Sequence, residues 1–199
     1  MRRPVARATD TVRLIDAVLG GDEQRVGRLL EAGADPNAPV NGTTPLYQAA
    51  VQGFGAIVDQ LLRAGADPNV ESGGDSEGLP LCAAASWGHE EAVSSLLRHG
   101  ADANGIEWGD MTALAWAAGK GHVEVTGTLL RAGADPNLLS PLVGAAKGGS
   151  PEVVRLLLDD GARPSSEALD WAEQLAAEQP GSGSHAEVAE ILRAAGAGS

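Results

Sequence analysis

Four aspartates, Asp35, Asp67, Asp102 and Asp135, stand at nearly even intervals in this 199-residue chain. They could be read as a functional carboxylate row. Each lies in a short Gly-Ala-Asp turn, however, where Asp and Asn side chains hydrogen-bond the local backbone, so a structural use is the expectation. The histidines read the same way. His89 and His122 directly follow Gly88 and Gly121, and His99 precedes Gly100 at a helix end, where a cation suits the helix dipole. No histidine has HExxH or HxH spacing, and the single cysteine, Cys82, cannot complete a zinc site. Between Leu81 and Ala83-Ala84, Cys82 reads as a small buried hydrophobe and not as a nucleophile. The sequence lacks GxxxxGK[ST] and a GxGxxG after a strand, so no catalytic residue, no cofactor and no metal is expected.

The carboxylates recur because the segment around them recurs. LLRAGADPN at Leu129–Asn137 is repeated as LLEAGADPN at Leu29–Asn37, LLRAGADPN at Leu61–Asn69 and LLRHGADAN at Leu96–Asn104, and loosely as LLDDGARPS at Leu157–Ser165. Its glycines, Gly33, Gly65, Gly100, Gly133 and Gly161, are separated by 32, 35, 33 and 28 residues. A period near 33 indicates stacked units in one elongated domain, about six for this length.

Each unit reads as two helices. The first begins near Asp10 or Thr11, after an arm over residues 1–9, and places Leu14, Ala17 and Val18 on one face. In the second, Thr44 caps, Pro45 takes the first helical position, and Leu46, Ala49 and Ala50 point inward. Gly53 closes that helix, Ile57, Val58, Leu61 and Leu62 build the next, and Gly65 ends it in a left-handed cap. Near the C-terminus, Ser184-His185-Ala186-Glu187 reads as a capping box opening a final helix.

TPLYQAAVQGFGAIVDQLLRAGADPN, Thr44–Asn69, resembles an ankyrin repeat almost position for position. Leu79–Asn104, Thr112–Asn137 and Ser140–Arg163 are similar, and the first unit and Ser166–Ala195 look like degenerate capping repeats. The resemblance implies an all-α solenoid of helix–turn–helix units with short β-hairpin loops, forming one domain over residues 10–196. The units would fall at about 10–42, 43–77, 78–110, 111–138, 139–165 and 166–196. It also implies a non-catalytic module that binds a protein or peptide through its concave face and hairpin fingers. The fingers differ in length: nine residues separate Asn69 from Leu79, seven separate Asn104 from Thr112, and only two, Leu138 and Leu139, separate Asn137 from Ser140. The fourth finger is thus expected to be clipped, leaving a notch beside the third.

Composition narrows the partner. With 27 acidic and 14 basic residues the net charge is −13, which disfavours nucleic acid and acidic membranes and favours basic partners. The opening MRRPVARATD has no apolar run and no stretch suits a membrane span, so a cytoplasmic monomer is expected. Twelve Arg against two Lys is the skew of a GC-rich genome, read as bacterial.

In the family, the two residues before the inter-helix glycine and the finger tips line the concave face. Here the tips include Asn41, Thr43, Asp75, Ser76, Glu77 and Glu107. The resulting partner-binding set is Gln52, Trp87, Trp108, Asp110, Met111, Lys120 and Lys147. Trp87 and Trp108 fall at exposed-type positions, and tryptophan is enriched in interface hot spots. Trp116 and Trp171 are expected in the core. The competing expectations are a small-molecule or catalytic pocket at the notch, lined by Cys82, Lys120 or Trp116, and self-association of acidic with Arg-bearing faces.

Overall fold

The computed structural model describes residues 8–73, 78–179 and 183–197. The helices are α1 (Ala8–Leu19), α2 (Glu23–Glu31), α3 (Pro45–Gln52), α4 (Gly55–Arg63), α5 (Pro80–Ser86) and α6 (Glu90–Arg98). They continue with α7 (Ala113–Lys120), α8 (Val123–Arg131), α9 (Pro141–Gly148), α10 (Pro151–Asp159), α11 (Ser166–Glu178) and α12 (Ser184–Ala194). Successive odd-numbered helices pack side by side from α1 to α11 as an inner row. The even-numbered helices form an outer row from α2 to α12. This is the expected all-α solenoid.

Side-chain caps start many of these helices. Thr44, Thr112, Ser150 and Ser165 each accept from the backbone N–H three residues on, and Pro45, Pro80, Pro141 and Pro151 occupy first-turn positions whose N–H would have no helical partner. The core is thin because alanine fills it. Ala49-Ala50, Ala84-Ala85, Ala117-Ala118 and Ala145-Ala146 have no exposed surface, and Leu61, Leu96, Leu129 and Leu157 fill the space between rows. No single layer buries enough to stand alone, so stability accumulates across the interfaces.

The tightest interface lies between α7 and α9. Gly119, Gly144 and Gly148 let the two backbones meet, and a Cβ on Gly148 would fall 2.7 Å from the Gly119 carbonyl oxygen. Alanine ordinarily favours a helix over glycine by about 1 kcal/mol, but here a backbone must move to admit it. Gly148→Ala is expected to destabilise the fold by about 1–3 kcal/mol, read as a lower urea midpoint. An unchanged or higher midpoint would show that the approach is slack.

The asparagines staple the turns. Asn37 Nδ2 donates to the Gly65 carbonyl, and its Oδ1 accepts from the Asp67 N–H of the next unit. Asn69, Asn104 and Asn137 repeat the pattern toward Gly100, Gly133 and Gly161. The four aspartates accept from the backbone N–H two residues ahead, the local use expected of them. The histidines also join layers: Nε2 of His89, His122 and His185 lies 3.1, 3.1 and 3.2 Å from the carbonyls of Val51, Ser86 and Lys147.

Two local expectations change, and His99, at its expected helix end, gains a further contact. α1 begins at Ala8, ahead of Asp10 and inside the expected arm, whose residues 1–7 lie outside the described chain. α12 is capped at Gly183, so Ser184 opens its first turn, and His185 is the buried counterpart of His89 and His122 and not part of a capping box. His99 is tied across layers, with Nε2 3.2 Å from Asp59 Oδ1. Partial burial pushes the Asp59 carboxyl up, but the His99 hydrogen bond, the Arg63 charge and the Ser95 hydroxyl outweigh it and hold Asp59 below the usual carboxylate range.

Candidate functional site

The inner helices end in the residues expected to face a partner. Gln52 and Lys120 close α3 and α7 and are exposed; Trp87 sits at the cap of α5 with 66% of its surface open. Lys147, one position further back, lies over the Trp171 ring at 4.1 Å from its centroid. The two lysines are therefore unlike: Lys147 has an aromatic seat, whereas Lys120 makes no ion pair among the described residues. Trp171 packs half-buried against the core, as expected, but leaves one ring face under that lysine.

The fingers rise at the opposite end of the inner helices. Asn41-Gly42 forms the first tip in left-handed backbone, closed by a bridge between Val40 and Thr43. The second is closed by Ser72 and Gly78, while the tip residues Asp75, Ser76 and Glu77 lie outside the described chain. The third is the one regular hairpin among the described residues, β1 (Ile106–Glu107) against β2 (Met111–Thr112), with Glu107 opposite Met111. Its tip, Trp108-Gly109-Asp110, needs positive φ at Gly109 and Asp110, leaving Trp108 80% exposed and Met111 half-buried. The fourth has no strand. Leu139 and Ser140 there take consecutive left-handed conformations, at φ 57° and 55°, which is the backbone strain of a turn compressed into two residues.

Trp87 and Trp108 are not brought together. The seven residues of α5 put about 10 Å of helix between the finger base and Trp87, so the two rings mark opposite ends of one surface.

Glu107, read from sequence only as a tip residue, turns beneath its finger. One carboxylate oxygen accepts from Trp116 Nε1 at 2.7 Å and the other from the Leu79 N–H at 3.0 Å. Trp116 is thus half-buried, with a polar handle that a closed core position would leave unpaired. The fingers are also tied to one another. Thr44 and Ser72 share a buried hydroxyl contact of 3.0 Å, Gly73 N donates to the Gly42 carbonyl, and Trp108 N donates to Glu71 Oε1 at 2.9 Å. The first three fingers therefore form one rim.

Cys82 lies 1% exposed below this rim, its thiol pushed far above the ordinary range by burial and by the neighbouring Glu107 carboxylate. Native protein is expected to leave Cys82 unmodified by a thiol reagent such as dithionitrobenzoate, with stoichiometric reaction only after denaturation. Fast labelling in buffer would contradict the burial.

Residues 56–140 match the family model for ankyrin repeats (3 copies), and residues 137–169 match that for a single ankyrin repeat. The chain belongs to the ankyrin-repeat family. No curated protein matches it. Ankyrin repeats are generally protein–protein interaction modules and usually non-catalytic scaffolds. Among the described residues of this ankyrin-repeat protein, no group of three or more His, Cys, Asp or Glu side chains could hold a metal ion. No helix among them is long and apolar enough to cross a membrane. A cleft of about 970 Å³ separates the outer helices α2 and α4, beside Gly27, Gln60 and Arg63, away from the rim and the inner-helix ends.

Proposed function

We propose that this ankyrin-repeat protein is a non-catalytic recognition module that binds a protein or peptide across the ends of its inner helices and its finger rim. Gln52, Trp87, Trp108, Asp110, Met111, Lys120 and Lys147 form the contact set. The observation that supports this most is the exposure of Trp87 and Trp108, at 66% and 80%, on a scaffold whose other aromatic side chains, Tyr47, Phe54, Trp116 and Trp171, are half-buried. Two tryptophans held open on a rigid stack offer large apolar contact with little ordering cost. Cys82 is buried and raised, and Trp116 is committed to Glu107, so two of the three residues named for a pocket at the fourth finger are already engaged.

The reading is tested by affinity capture from host lysate with the wild type beside a Trp87→Ala/Trp108→Ala variant. A protein retained by the first and lost from the second supports it. Equal retention by both would move recognition off this surface.

A further inference from the structure

We propose that the cleft between the second and third fingers receives an arginine side chain from a basic segment of the partner. This rests on the recognition reading above and specifies its chemistry. The cleft is an open hollow of about 390 Å³ lined by Glu71, Ser72, Gly73 and Trp108. Trp108 supplies an open ring face and Glu71 the charge. Glu71 is exposed and uses Oε1 to accept the Trp108 N–H, and its Oε2 has no partner among the described residues. The bond at Oε1 fixes the carboxylate beside the ring, so a cation entering the cleft meets both at once.

Charge favours the same occupant. From residue 64 to residue 119 the only Lys or Arg is Arg98, which ends outer helix α6 on the other row. Glu71, Glu107 and Asp110 meanwhile place carboxylates on these two fingers. The chain shows how it satisfies a tryptophan where its own cation can reach, with Lys147 4.1 Å above Trp171. Trp108 has no such cation among the described residues. Arginine suits the cleft better than lysine because its planar guanidinium can stack on the indole while an edge N–H pairs with Glu71.

The test uses a fluorescein-labelled peptide of alternating glycine and arginine, with lysine and glutamine versions, in fluorescence anisotropy at about 0.15 M salt. The arginine peptide should bind most tightly and the glutamine peptide least. Trp108→Ala, which leaves the charge unchanged, should weaken arginine-peptide binding about tenfold. Glu71→Gln should do the same, whereas Glu152→Gln, an equal charge change at an exposed position of α10, should not. Unchanged binding in Trp108→Ala, or equal losses in Glu71→Gln and Glu152→Gln, would reduce the effect to bulk charge and overturn the proposal. Panning a random peptide library separates the two levels. Binders rich in arginine support the cleft. Binders without arginine that are lost on the Trp87→Ala/Trp108→Ala variant overturn the cleft but leave the recognition surface, and no binders at all would count against both.

Discussion

Replacing Trp87 and Trp108 together by alanine should weaken partner binding by about a thousandfold while leaving the unfolding midpoint nearly unchanged. Truncating a hot-spot tryptophan costs about 2 kcal/mol or more, a factor of about thirty in the dissociation constant. The two rings stand at opposite ends of the surface, more than a helix length apart, and distant sites combine additively. The single variants should therefore each lose about thirtyfold and multiply in the pair. Stability should hold because the rings are 66% and 80% exposed, so truncation opens no cavity. Surface changes of this kind stay within about 0.5 kcal/mol. Titration calorimetry against the captured partner and urea unfolding give the two halves. A double variant that also unfolds early would mean the rings are structural. One that binds normally would mean they are idle.

The second large effect is expected at Glu107. Its carboxylate holds the Trp116 indole N–H and the Leu79 N–H, and α5 has no side-chain cap of its own at that end. Glu107→Ala removes both acceptors at once from partly buried donors. Hydrogen bonds to a charged group contribute about 1.5–3 kcal/mol each, and partial exposure lowers that here, so a total loss of about 3 kcal/mol is expected. Glu107→Gln keeps one oxygen but faces the second N–H with another donor, and should fall between alanine and wild type. Indole emission should shift to the red in Glu107→Ala as Trp116 loses its partner. A stability change below about 0.5 kcal/mol, within the range of ordinary surface substitutions, would contradict the anchoring role.

The repeat nonapeptide and its glycines made the solenoid legible from sequence, because period, caps and apolar faces all encode the same unit. The exposure of Trp87 and Trp108 was legible too, since the repeat assigns those positions to the surface. What was not legible depended on contacts between units. Glu107 looks like one more acidic tip residue until strand pairing opposite Met111 turns it under the finger. Trp116 and Trp171 match apolar positions, but one takes a carboxylate and the other a lysine, contacts that no spacing predicts. His185 was hidden because the last unit replaces the short glycine turn with a longer one, which removed the Gly-His pair that marks His89 and His122. The asparagine staples could have been found, as Asn37, Asn69, Asn104 and Asn137 recur with the aspartates; their reach to the next unit needed the stack.

The most direct measurement is hydroxyl-radical footprinting of the protein with and without its captured partner. Strong protection of Trp87 and Trp108, with the half-buried Trp116 and Trp171 little changed, is the expected result and would place the partner across the rim and the inner-helix ends. Protection confined to the outer helices, with Trp87 and Trp108 oxidised as in the free protein, would contradict recognition through this face.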